Sequence, residues 1–217
     1  MKKNLLILTF SCFLVSLAHA QIKKDSWLLG GQISFGSQKT TDGNFTTKAN
    51  GTGLVFSLGK AYRDNHVFGG QVSAGFSDVD FFNGTETDNQ KSKSFGVGGF
   101  YRIYKPLGKE FYFFGQGNAD LRWGNGKVTS PSAIDNREFR NISGTISVTP
   151  GIAYAVVPKF HVELTLPALF GISYDRATTE FPNANSPEQV TTSVNAFTSI
   201  GPGTQASLLG VGFRLIL

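Results

Sequence analysis

The residues of this chain that could do chemistry are few. Beyond position 20 there are two histidines, His66 in "RDNH" and His161 in "KFHVELT", and no cysteine. His161 and Glu163 are two apart, so on a strand they share a face, and such a pair can orient an acid–base group. The same parity sets Arg102 of "YRIY", Asp120 and Arg122 of "ADLRW" and Arg214 of "GFRLIL" on the sparse polar face of their segments. Buried charges must pair or reach water, so these groups predict a paired network that fills an interior. No His or Cys spacing fits a structural metal. The run "GVGGFY" resembles a phosphate-binding glycine loop only superficially, because no helix follows it. The expectation is no catalytic residue, no metal and no cofactor.

The segments that carry these groups alternate with period two. "SWLLGGQISFGSQ" sets Trp27, Leu29, Ile33 and Phe35 against Gln32 and Ser34, and "HVFGGQVSAGFS" sets Phe68, Val72 and Phe76 against Gln71 and Ser73. "SFGVGGFYRIY" sets Phe95, Val97, Tyr101 and Ile103 against Gly96, Gly98 and Arg102. "EFYFFGQGNADLRW" sets Phe111, Phe113, Leu121 and Trp123 against Gln116, Asn118, Asp120 and Arg122. "GLVFSLGKAY", "ISGTISVTPGIAYAVV", "FHVELTLPALFGISY" and the final "LLGVGFRLIL" complete eight such strands. Short turns at "YRDNH", "YKPLGKE" and "VVPKF" alternate with polar stretches at about 39–50, 78–93, 124–141 and 175–190, read as long loops. Residues 189–203 are assigned as an outward extension of the eighth strand, broken at Gly201-Pro202-Gly203. Alternating connection lengths predict an all-β, closed, antiparallel up-and-down barrel with two unlike ends.

Which face is inside decides the environment. Eight strands enclose a space only wide enough for side chains. The oily face holds most of the large side chains, whereas the other is mainly Gly, Ser, Thr, Gln and a few charges. The oily face is therefore expected outside, and lipid must cover it. Trp27, Tyr62, Trp123, Tyr154 and Tyr174 fall near strand ends, where aromatic girdles meet the membrane borders. Gln32, Gln71, Arg102, Gln116, Asp120, Arg122, His161, Glu163 and Arg214 form the expected lumen network. Glu163 and Arg214, each three residues from the lower end of its strand, are expected to face each other as an ion pair. Residues 1–20 have two lysines, an apolar run and Ala18-His19-Ala20, the pattern of a cleaved secretory signal. That leaves 21–217 as one domain, with 18 basic against 15 acidic residues. Such a mild charge balance excludes nucleic acid as an expected partner.

These features together resemble the small outer-membrane β-barrel proteins of Gram-negative bacteria, of the OmpA/OmpX-like type. The Gly- and Phe-rich strands and terminal "GVGFRL" are most similar to the Bacteroidota versions. The resemblance implies a porin-like fold in the outer membrane, contact with its lipid and lipopolysaccharide, and help from periplasmic chaperones and the barrel-assembly machinery. It implies a structural or surface-interaction role, with an extracellular ligand taken by the loops. The alternatives are a lipid-modifying enzyme on the same barrel and a narrow pore.

Overall fold

The computed structural model describes residues 22–108, 110–131, 136–182, 187–198 and 209–217, so the expected signal segment and the Gly201–Gly203 break lie outside the described residues. Among these residues all regular structure is β. The strands are β1 (Trp27–Asp42), β2 (Phe45–Arg63), β3 (His66–Phe82), β4 (Thr87–Gly108) and β5 (Phe111–Thr129). They continue as β6 (Arg137–Val157), β7 (Phe160–Thr165), β8 (Phe170–Glu180), β9 (Gln189–Thr198) and β10 (Leu209–Ile216). From β1 to β6 each strand pairs antiparallel with the next. β6 then pairs with β7 along Gly151–Val157 and with β8 along Glu138–Val148. β10 pairs with β7 on one side and β1 on the other, from Phe35↔Leu209 to Leu28↔Ile216, which closes a ring of eight courses.

The seventh course is split, where the sequence pattern predicts one continuous strand. Between Gly151↔Thr165 and Val148↔Phe170, four residues of "LPAL" face two of β6. Pro167 has no N–H to give the ladder, so the chain bulges there. The bulge is anchored at both ends, with Leu166 N donating to Pro150 O at 2.9 Å and Leu169 N to Val148 O at 2.8 Å. The eighth course comprises β9, paired with β8, and β10, paired with β7.

All four stretches read as long loops carry strand. Within 124–141 β5 runs to Thr129 and β6 starts at Arg137, and within 175–190 β8 runs to Glu180 and β9 starts at Gln189. The first two stretches are almost wholly paired. Residues 37–42 and 45–50 pair from Ser37↔Asn50 to Asp42↔Phe45, leaving Gly43-Asn44 as the turn, with Gly43 at φ 56°. Residues 78–82 and 87–93 pair likewise around Asn83–Glu86. Thr, Asn, Lys and Ser occupy both faces here, so apolar alternation is lost although the ladder continues. At the opposite end the turns are short, as at Asp64-Asn65, where Asn65 takes φ 62°.

The faces follow the expected parity. Phe35, Phe56, Phe68, Phe76, Phe95 and Trp123 all point out of the ring and are exposed. The interior departs from expectation at the short-turn end, where it is apolar. Phe100, Tyr104, Tyr112 and Phe114 point inward and are buried with Leu28, Ala61, Val67, Ala153 and Ala155. Ile22, just before β1, plugs the floor at 1% exposure, its N–H on Asn65 Oδ1 at 3.1 Å and its carbonyl accepting from Asn65 N at 2.9 Å.

Candidate functional site: a charged plug inside the ring

Directly above the aromatic floor, three strands deliver charge to one point and a fourth adds a hydroxyl. β4 supplies Arg102 and Tyr104, β7 supplies Glu163, β10 supplies Arg214, and β2 adds Ser57. Arg214 Nε donates to Glu163 Oε1 at 2.9 Å and its Nη2 to Oε2 at 3.1 Å, a bidentate fork. From across the ring Arg102 Nη1 reaches the same two oxygens at 2.7 and 2.8 Å. The Tyr104 hydroxyl donates to Glu163 Oε1 at 3.0 Å while accepting from Arg102 Nη1 at 2.8 Å. Arg214 Nη1 also donates to Ser57 Oγ at 3.3 Å. All three charged side chains are 3–5% exposed.

The ladder sets Arg214 opposite His161 and Glu163 opposite Gly212, so the ion pair is diagonal and not directly cross-strand. Gly212, having no side chain, leaves the diagonal open. Two guanidinium groups share one carboxylate, so the cluster carries one unbalanced positive charge. Aromatic faces lie beside it: Arg102 sits 4.1 Å from the Phe114 ring centroid and 5.5 Å from Tyr104, and Arg214 is 6.0 Å from Phe100. Each such contact favours a cation by about 0.5–2 kcal/mol.

The network continues towards the long-hairpin end. Arg102 Nε donates to Gln116 Oε1 at 2.5 Å, and Gln116 Nε2 to Asn118 Oδ1 at 2.6 Å. Asn118 Nδ2 donates to Thr149 Oγ1 at 3.2 Å, and Gln71 Nε2 donates to Asp120 Oδ1 at 2.8 Å. Gly98 faces Asp120 across the ladder, and a Cβ there would collide with that carboxylate. Gln32 stands apart, its Oε1 accepting from Thr165 Oγ1 at 3.0 Å.

Three of the expected members, Gln32, Arg122 and His161, thus stay outside this network. Arg122 faces inward but is exposed, with no ion pair among the described residues. His161 is 1% exposed and lies in the floor, stacked on Tyr112 at 5.2 Å between centroids, with Nδ1 unpaired. It forms no hydrogen bond to Glu163, so the pair does not make an acid–base unit. His66 lies on the outer wall, where Nδ1 meets the Tyr101 hydroxyl at 2.8 Å, which in turn meets Tyr62 at 2.9 Å. Tyr104 and Ser57 are the members that spacing did not single out, and Asn118, placed on the polar face by parity, joins the network as well. Tyr104 shares the parity of Arg102 and could have been found by it.

The five aromatics expected at the borders all face outward. Trp27, Tyr62 and Tyr154 lie at the short-turn end. Trp123 pairs with Phe95 and Ile142 towards the other end, and Tyr174 lies one outward row below it. A ring exposing this much aromatic and aliphatic surface, with a polar, hydrogen-bonded interior, has the inside-out arrangement of a membrane barrel.

The chain is structurally similar to OprG, an outer-membrane protein of Pseudomonas aeruginosa: TM-score 0.50, 12% identity, covering 90% of this chain and 97% of that one. The fold is that of an outer-membrane β-barrel. Neisserial surface protein A aligns over 88% of this chain and 96% of its own at 13% identity and a TM-score of 0.43. A major outer-membrane protein from Thermus thermophilus aligns over 88% and 99% at 12% identity and a TM-score of 0.43. No family model and no curated protein matches the chain.

Proposed function

We propose that this protein is an eight-stranded barrel of the Gram-negative outer membrane that works as a structural or surface-interaction element, with a plugged lumen and no catalytic activity. Its OmpA/OmpX-like character and its export through residues 1–20 belong to the same reading. The observation that carries it is the Arg102–Glu163–Arg214 cluster, seated on an aromatic floor inside a ring whose outer face is oily. An interior of eight strands is barely wider than its side chains, and here those side chains are large, paired and buried. Ions crossing would have to separate two buried charge pairs. The hairpins rising from β1–β2 and β3–β4 carry polar residues on both faces, suited to contacts in water. Purified protein in a planar lipid bilayer should give no discrete conductance steps. Steady, reproducible ion currents would contradict the plug and favour a narrow pore.

A further inference from the structure

The outer wall near the long-hairpin end has a charge pattern that the plug does not explain. Phe95, Trp123 and Ile142 form one outward row across β4, β5 and β6, and Arg176 of β8 continues that row. The next outward row holds Lys93, Asn125 and Arg140, about 7 Å further along the strands by the rise of two residues. Beyond it come Lys91 and Lys127. Four cations thus stand on adjacent strands immediately past an aromatic and aliphatic band, with Arg176 level with the band itself.

Few of these charges are used by the protein itself. Lys127 pairs with Glu138 at 3.5 Å and Arg140 with Glu180 at 3.7 Å, both on the exposed surface, where such pairs hold weakly. Lys91, Lys93 and Arg176 have no ion-pair partner among the described residues. Asp78, opposite Lys91 on β3, instead accepts from Asn89 Nδ2 at 2.8 Å.

The shape of the wall matches the charge. A cleft of about 570 Å³ lies over Phe76, Phe95, Trp123 and Ile142, with Lys93 and Arg140 at its rim. A second, polar cleft of about 430 Å³ adjoins it, sharing Lys93 and Arg140 and adding Lys91, Lys127 and Glu138. An apolar trough below a cationic one suits an amphiphile with hydrocarbon at one end and negative charge at the other.

We propose that this wall binds a lipid of the outer leaflet through its phosphate-bearing headgroup, with Lys91, Lys93 and Arg140 as the phosphate contacts and the Phe95–Trp123–Ile142 band against the acyl chain. Arginine offers a planar fork to phosphate and lysine a mobile point charge, and both gain strength where the membrane border excludes water. This site rests on the membrane reading above, because only a lipid-embedded ring presents this wall to a leaflet.

The test uses the folded protein in detergent, in a Trp27→Phe background that leaves Trp123 as the only indole. Diphosphoryl lipid A, added in increments, should change the Trp123 emission saturably, and raising salt should weaken that binding. K91Q/K93Q removes two charges that no other part of the protein uses and should weaken binding roughly tenfold or more. K105Q, at the opposite end of β4, should leave it unchanged. Equal binding of a phosphate-free lipid A, no loss in K91Q/K93Q, or an equal loss in K105Q would overturn the site. Each variant is also run unheated and boiled on a detergent gel. A wild-type protein that shows no folded band sinks the membrane reading instead, so the two failures are distinct.

Discussion

Glu163 is the residue on which most of the interior depends, because it is the single carboxylate between two buried guanidinium groups. Removing it leaves Arg102 and Arg214 facing each other without a counter-charge, and breaking such a pair from one side costs on the order of 3–5 kcal/mol. Glu163→Ala should therefore lower the midpoint of denaturant unfolding well below wild type. Glu86→Ala, in the turn at Asn83–Glu86, should leave the midpoint nearly unchanged, since only the Glu86 backbone bonds to Asn83. Equal midpoints for the two variants would show that lumen water, and not Glu163, solvates the arginines. The charges of this cluster were legible in the sequence because each sits on the small-residue face of a clearly alternating segment. Its diagonal register and its aromatic floor were not. In "EFYFFG" four consecutive aromatics cover both faces, so only the parity of Gln116 and Asn118 further along sets Tyr112 and Phe114 inward, and nothing local marks them as a floor.

At the scale of elements, the ring depends on the ladder between β1 and β10. Close approach of the two backbones is part of it: a Cβ on Gly212 would stand 2.6 Å from the Gly31 carbonyl oxygen, with no flexible atom to move aside. Gly212→Val should thus destabilise the folded ring by about 1–3 kcal/mol. Gly117→Ala, whose Cβ meets nothing nearer than 3.9 Å, should be close to neutral. Unfolding midpoints in urea distinguish them, and a neutral Gly212→Val would show that β10 is less tightly seated than its register indicates. Which face each strand presents was legible from Leu209, Val211 and Phe213 against Gly210, Gly212 and Arg214. The split at 166–169 was not, because Leu166 and Leu169 continue an oily pattern across a proline that cannot continue a ladder. The strand extensions at 39–50 and 78–93 were hidden for the opposite reason: in water neither face needs to be apolar.

For the whole molecule, the outer face is the decisive feature. Phe35, Phe56, Phe76, Ile146, Phe170 and Ile172 are each more than half exposed, around a ring whose interior is polar and paired above its floor. A soluble protein would leave that surface against water, where contiguous apolar patches drive association. In a bilayer the same surface is solvated, and ring closure pairs the backbone groups that lipid cannot satisfy. Where β10 closes against β1, the ladder has no edge through which detergent can easily open it. The most direct test is electrophoretic. Folded protein extracted in mild detergent should run faster on an unheated dodecyl sulfate gel than after boiling, because the closed ring survives the detergent until heat opens it. Identical migration before and after boiling, with a monomer that stays soluble in buffer without detergent, would contradict the account.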